Sequence, residues 1–309
     1  MTEDRTTDER ITEERITGDL VPDVDTLARR LDDAGYLADR GLATSLFLAV
    51  RLPQPLLLEG EAGVGKTEAA KALARVLDTP LLRMQCFEGI DAAEALYEWN
   101  YPRQLLAIRL AEAAGGAGDV DLFAPEFLVA RPLLQAIDHP GPRPAVLLVD
   151  EIDRADDEFE AFLFEMLAEA AVTIPELGTR VASVPPVVVL TSNRTRDLHD
   201  ALKRRCLYHW IDYPSLDRAV AIIRRRVPQA STPVIEQAAA AVARLRTLDV
   251  QKPPGVAEAI DWAAALTVLG LDRLDPAAAE ATLGSVLKYR EDVEMAKGRG
   301  LEWLVDAAP

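Results

Sequence analysis

From about residue 23 onward, short runs of apolar residues alternate with stretches in which apolar positions recur at helical spacing. The runs cover residues 55–58, 80–86, 145–149, 187–190 and 207–211, each of strand length. Runs apolar throughout, separated by helical stretches such as 68–77 and 157–170, predict parallel strands buried on both faces by crossover helices. The expectation is a doubly wound α/β sheet. Beyond Pro214 the strand pattern stops. Four helices rich in Ala and Leu are predicted over residues 216–226, 233–248, 256–269 and 276–289, which make a small C-terminal helical domain.

Residues 1–20 break from this pattern. They mix Thr with acidic residues and Arg and offer only Ile11, Ile16 and Leu20 as large apolar groups after Met1, too few to order the segment alone. The expected organisation is a mobile charged tail over 1–20, an α/β domain over 21–213 and a helical domain over 214–309. A length of 309 residues fits two globular parts, since single cores rarely grow past about 250–300 residues. The formal charge of −17 and pI near 4.7 disfavour long-range attraction to nucleic acid or anionic lipid, leaving room only for a local cationic site. Cys86 and Cys206 have neither metal-site spacing nor disulfide-scaffold density and read as packing thiols. The N-terminus lacks an apolar signal core and no apolar stretch reaches membrane-spanning length, so the expected location is the cytoplasm, with no membrane partner.

Between the first strand and the helix at residue 68 stands Gly60, Glu61, Ala62, Gly63, Val64, Gly65, Lys66 and Thr67, with Glu68 opening the helix. In this strand-to-helix context the pattern is a phosphate-binding loop. Glycines let backbone N–H groups face the phosphates and the helix N-terminus adds positive dipole. Lys66 reaches the β- and γ-phosphates of ATP, and the Thr67 hydroxyl ligates Mg²⁺. With glycine at about 7% of residues, such a pattern arises by chance in a chain this long about 1% of the time, so a plain glycine turn carries little weight.

The third apolar run ends in Asp150 and Glu151. A buried parallel strand delivers carboxylates to its C-terminal edge, where ligands of open α/β sheets bind. Asp150 is therefore the candidate Mg²⁺ carboxylate and Glu151 the candidate base for an attacking water. The alternative is that Asp150, Glu151 and Asp153 cap the next helix. The fourth run ends at Asn193, a candidate to position that water, or a turn residue. Lys203, Arg204, Arg205 and Cys206 close a short helix. Arg204 and Arg205 are either cations at a helix end or candidates for an arginine finger acting on a neighbour's γ-phosphate.

The order of phosphate loop, Asp150–Glu151 pair, Asn193 and Arg204/Arg205, followed by a helical domain, resembles the AAA+ ATPases, and within them the MoxR branch. The features carrying this are the long stretch between the second strand and Ala145, which would hold an insert at about 91–130, and residues 172–181, which would lie in a hairpin at about 172–184. The wording at 95–101 (ALYEWNY), 204–214 (RRCLYHWIDYP) and 252–258 (KPPGVAE) is similar to CoxD-like accessory ATPases of carbon monoxide dehydrogenase-type molybdenum enzymes. The resemblance covers about residues 20–290. It implies a ring of identical subunits, a hexamer, with chaperone-like remodelling of a metalloenzyme client during metal-cofactor insertion. It also implies a von Willebrand factor A-domain partner, Asn193 as sensor and Arg205 as the finger acting in trans, with Arg204 as rival. Relatives often carry a further arginine where residues 252–258 stand; this chain has none there, so either Lys252 substitutes or nucleotide-dependent movement of the helical domain is weaker, and the position stays unassigned. Tyr97, Trp99 and Tyr101 in the insert would share one face if extended, either meeting a client or filling a core. Two other function classes fit a phosphate loop: a small-molecule kinase, and an ATP-binding assembly protein of slow turnover.

Overall fold

The computed structural model describes residues 21–52, 54–113 and 120–305. The tail expected over 1–20 lies outside the described residues. The chain divides into two compact units. One takes the described residues of 1–34, 39–59 and 70–209; the other takes those of 35–38, 60–69 and 210–309.

The first unit opens with α1 (Val24–Asp33) and α2 (Arg40–Arg51), capped by Asp23 and Asp39, whose carboxylates accept from the N–H groups of Thr26 and Leu42. Then follow β1 (Leu56–Gly60), α3 (Lys66–Leu77), β2 (Leu81–Gln85), α4 (Ala92–Leu96), β3 (Tyr97–Trp99), α5 (Tyr101–Ala113), β4 (Leu128–Ala130), α6 (Pro132–Ile137) and β5 (Val146–Asp150). The chain continues through α7 (Asp157–Glu169), β6 (Ala171–Ile174), β7 (Gly178–Val181), β8 (Val187–Ser192), α8 (Asp200–Lys203) and β9 (Leu207–Ile211). The main sheet has the order β2-β5-β8-β1-β9, and β1, β5 and β8 are buried at every position, which explains their continuous apolar runs. The β2–β5, β5–β8 and β1–β8 pairs are parallel, as the apolar runs predict. Their register sets Gln85 beside Asp150 and Glu59 beside Ser192, so polar groups collect where the strands end. Leu57, Leu147, Val149, Leu190, Phe159 and Leu163 belong to the core of this unit.

Between β2 and β5 the chain forms the antiparallel β3–β4 pair with α5, and β6–β7 is a separate antiparallel hairpin. Only Tyr97 to Trp99 is extended; Tyr101 starts a helix instead of continuing the strand. The three aromatics therefore do not share one environment. Trp99 is buried, edge-on to Tyr97 and Phe123 at centroid distances of 6.0 and 5.2 Å, whereas Tyr101 is 64% exposed.

The second unit contributes α9 (Leu216–Arg226), α10 (Thr232–Leu245), α11 (Val256–Val268), α12 (Pro276–Thr282), α13 (Arg290–Arg299) and α14 (Leu301–Val305). Ile223, Ile235, Val242, Trp262 and Leu266 fill its core, and the buried Trp262 indole N–H donates to Thr282 Oγ1 at 2.7 Å. The helix expected over 276–289 stops at Thr282 and continues as a 3-10 turn, Leu283–Ser285. Gly284 stands at that point, where a regular helix loses about 0.5–1 kcal/mol relative to alanine. Leu283, Val286 and Leu287 are buried at this tighter spacing.

Candidate functional site

The phosphate loop groups with the helical unit. Its glycines are required by geometry: Gly63 has φ +77°, and a Cβ there would lie 2.8 Å from Glu258 Oε2, while a Cβ at Gly60 would run into the Ile211 carbonyl oxygen. Lys66, the first residue of α3, is buried, and its Nζ donates to the carbonyl oxygens of Gly60 and Glu61, both at 2.7 Å. The ammonium thus closes the loop on itself. The loop also meets the start of α11. Ala257 N–H donates to the Gly63 carbonyl at 3.3 Å, Gly255 N–H donates to Glu258 Oε2 at 2.8 Å, and Tyr36 lies 3.7 Å from where a Gly65 side chain would begin. Neither Gly255 nor Tyr36 stands out in the sequence as a loop contact; nothing local marks a glycine before a helix as the partner of a loop nearly two hundred residues away.

Within 252–258 the structure shows Lys252 exposed, its backbone N–H donating to Asp292 Oδ2 at 3.4 Å. Arg246 instead stacks on the Tyr213 ring, 4.1 Å from its centroid, and its Nε donates to the Pro254 carbonyl at 2.6 Å. Burial lowers the Arg246 pKa and raises that of the Tyr213 phenol, the latter with a smaller contribution from Glu61.

The carboxylates and the sensor candidate lie in the α/β unit. Asp150 is the last residue of β5 and is buried. Its Oδ1 accepts from Thr191 Oγ1 at 2.6 Å, and its Oδ2 accepts from Arg83 Nε and Nη2 at 3.0 and 2.6 Å. Glu151 follows in the left-handed region, φ +56°, an uncommon state for a residue with a side chain and one that concentrates at functional sites. Its N–H donates to Thr191 Oγ1 at 2.9 Å, which fixes the turn; its Oε2 accepts from Gln85 Nε2 at 2.9 Å and Arg154 Nη1 at 3.2 Å. The residue that caps α7 is Asp156, which accepts from Phe159 N–H at 2.8 Å, so the strand-end acids are not engaged as that helix's cap.

Asp153, also buried, performs a different task. Its Oδ2 accepts from Asn193 N–H at 3.2 Å, Thr195 N–H at 2.8 Å and Thr195 Oγ1 at 2.7 Å, pinning the loop after β8 to the turn after β5. Two hydrogen-bonded groups result: Asp150 and Glu151 share Thr191 Oγ1, and Asp153, two residues after Glu151, holds the backbone of Asn193. Neither Arg83, Gln85 nor Asp153 was legible as part of a site in the sequence.

These strands and turns fall within a recognisable stretch: residues 55–206 match the AAA domain of the dynein-related subfamily. The matched stretch is 152 of the 309 residues, just under half of the chain. An uncharacterized protein of Staphylococcus aureus strain USA300 is 24% identical over 233 residues, spanning 72% of this chain and 81% of that protein. Similar solved structures include a point mutant of Thermotoga maritima RuvB, at 18% identity and TM-score 0.48 over 82% of this chain and 71% of the other. Another is a candidate ATPase from Cytophaga hutchinsonii, at 15% identity and TM-score 0.44 over 98% and 97%.

Near the C-terminal end of the matched stretch, Arg204 and Arg205 follow the four-residue α8 and are both exposed. The Arg205 guanidinium stacks 3.9 Å from the centroid of the Phe164 ring on α7, whereas Lys203 pairs with Asp197 at 3.7 Å. Elsewhere in that stretch, Glu59, just before the candidate phosphate loop in sequence, is buried and accepts from Tyr208 Oη at 3.1 Å and Ser192 Oγ at 3.3 Å. Cys86, fully buried, has its thiol pushed up to about 12 by burial and then by the Asp150 charge; burial alone pushes Cys206 up to about 12. Both are packing thiols. A cavity of about 150 Å³ lined by Ala49, Pro55, Met166, Pro186 and Val188 opens at the N-terminal edge of the sheet, away from the strand-end acids. No helix among the described residues is long and apolar enough to cross a membrane.

Proposed function

We propose that this protein hydrolyses ATP with Mg²⁺ by direct attack of water on the γ-phosphate. The observation that carries the reading is a glycine-lined curve, closed by Lys66 and opening directly into α3, inside the stretch that matches an AAA domain. The donor chemistry fits Mg²⁺. Thr67 and Asp150 offer hard oxygens, and the described residues hold no cluster of three or more His, Cys, Asp or Glu able to bind a metal alone. That suits an ion held by one or two protein oxygens together with phosphates and water. When bound, the ion neutralises charge on the β- and γ-phosphate oxygens.

In this reading the backbone N–H groups of residues 60–68 bind phosphate oxygens and the Lys66 ammonium stabilises charge on them. Glu151 accepts a proton from the attacking water at a carboxylate oxygen, and Asn193 orients that water. Arg205 supplies the finger to a neighbouring subunit's γ-phosphate, with Arg204 as its rival, which makes hydrolysis depend on a ring of identical subunits, a hexamer by the resemblance. The wording at 95–101, 204–214 and 252–258 supports a finer role, as a MoxR-type, CoxD-like remodeller that acts with a von Willebrand factor A-domain partner during metal-cofactor insertion into a molybdenum enzyme. The test of the chemistry pairs two variants. Lys66→Ala is expected to lose ATP binding in a fluorescent-nucleotide titration, and Glu151→Gln to bind ATP normally while turnover falls about 10²–10⁴-fold. Wild-type ATP affinity in Lys66→Ala would remove the loop from nucleotide binding.

A further inference from the structure

The carboxylate assigned to the metal is already engaged by a cation of the chain itself. Arg83 lies on β2 opposite Leu148, two residues before Gln85, which is opposite Asp150; the two-residue spacing puts Arg83 and Gln85 on one face of the strand. Both Nε and Nη2 of Arg83 reach Asp150 Oδ2, and the same Nη2 donates to Gln85 Oε1 at 2.6 Å. The Gln85 amide continues outward, with Nε2 donating to Glu151 Oε2 at 2.9 Å. A continuous hydrogen-bonded path therefore runs from Asp150 through Arg83 and Gln85 to Glu151. Its two ends differ in freedom. The Asp150 side chain is 4% exposed, whereas that of Arg83 is 48% exposed and that of Glu151 is 34% exposed. The aspartate is held in place by Thr191, and the arginine has solvent-facing space to leave.

We propose that Arg83 is the resting counter-cation of Asp150 and the positioning residue that reports metal arrival to Glu151. This rests on the reading of Asp150 as the Mg²⁺ carboxylate. A buried carboxylate is costly without a partner, and Arg83 supplies one while no metal is bound. A divalent cation at Asp150 repels the guanidinium and takes over the carboxylate's attraction, so the two compete for one group. Once Nη2 leaves Asp150, it no longer fixes Gln85 Oε1. The Gln85 amide can then turn, and Glu151 Oε2 loses the donor that ties it to β2, keeping only the contact with the exposed Arg154. The base is freed from the strand when the metal is in place and tied to it otherwise, with Arg154 beside it in both states. The path moves hydrogen bonds only; no covalent bond changes.

The experiment uses the full-length protein with Mn²⁺ as the metal and ADP as the nucleotide, with free Mn²⁺ read by its paramagnetic resonance signal. Removing the competing charge in Arg83→Met should raise Mn²⁺ affinity of the ADP-loaded protein about 3–10-fold, the range for a charge-assisted pair discounted for its exposed partner. ADP affinity in EDTA should match wild type. Arg83→Lys keeps the charge but lacks the fork, so its Mn²⁺ affinity should stay near wild type.

A second measurement needs no charge-removing variant. In wild-type protein the side-chain N–H resonances of Arg83 and Gln85 should shift together when Mg²⁺ is added to the ADP complex, and remain in place with ADP in EDTA. In Arg83→Lys the Gln85 amide should stop responding to Mg²⁺. Unchanged or weaker Mn²⁺ binding in Arg83→Met would reduce Arg83 to a staple between β2 and β5 and overturn the proposal, as would resonances that ignore the metal. Wild-type protein that binds no ADP under any condition would instead overturn the nucleotide-site reading beneath it.

Discussion

Gly255→Ala tests whether the phosphate loop depends on close contact with the start of α11. Gly255 has ordinary φ −85° and ψ −171°, so alanine is not strained by its backbone. The obstacle is space. A Cβ at this position would lie 2.8 Å from Ala62 O and from both Gly63 C and Cα, at least 0.6 Å short of ordinary van der Waals contact, which begins near 3.4 Å. All three atoms are backbone and cannot swing aside as a side-chain tip would. Either α11 or the loop must shift, and overpacking of this kind costs about 1–3 kcal/mol.

If the helical unit absorbs the strain, its midpoint should fall by about 4–8 °C per kcal/mol for a unit of roughly 100 residues, read by circular dichroism. If the loop yields instead, 2 kcal/mol lost from the nucleotide complex is about a 30-fold weaker ATP affinity, read by fluorescent-nucleotide titration. The control is Gly298→Ala, in the last turn of α13, where a new Cβ meets nothing within 4 Å. Restoring helix propensity there should stabilise by about 0.5–1 kcal/mol. A Gly255→Ala protein that melts like wild type and binds ATP as tightly would show that the contact carries no strain and refute the reasoning.

Arg205→Ala is expected to lower turnover by about 10³–10⁵-fold if the arginine serves as the finger, while its own loop still binds ATP. Mixing it with Lys66→Ala subunits, which retain Arg205, should restore turnover at mixed interfaces, and failure in verified mixed rings would count against action in trans. Asp153→Asn keeps the shape but weakens a carboxylate that accepts three hydrogen bonds from Asn193 and Thr195; turnover should fall more than ATP affinity, and equal losses would point to general unfolding. Because the Cys86 pKa is raised from 9.0 to about 12, its folded form resists ionisation more than its unfolded form. Its contribution is complete below pH 9.0 and is lost as pH rises toward 12. Chemical denaturation across that window should show Cys86→Ala with a shallower decline than wild type, by up to about 1.4 kcal/mol per pH unit. Parallel curves would refute the shift.

The sequence by itself determined the elements with local causes. Continuous apolar runs marked the strands because a parallel strand buried on both faces has no polar side to show, and the helices expected from residues 233 and 276 form there, capped within one turn by Ser231 and Asp275. The candidate phosphate loop stands out because the mechanism proposed for it depends on consecutive residues, and the Asp150–Glu151 pair because a strand end carries it. The tertiary structure decided what depends on register and on distant contacts. Arg83 and Gln85 read as ordinary strand residues until the β2–β5 register set them beside Asp150. Asp153 looked like a further acid in a run until the loop after β8 came to its carboxylate. Tyr101 left the expected aromatic face because α5 begins there. Nothing in the sequence around Gly255 gives the physical reason for a glycine there, since that reason is the backbone of residues 62–63, nearly two hundred residues away, occupying the space a side chain would need.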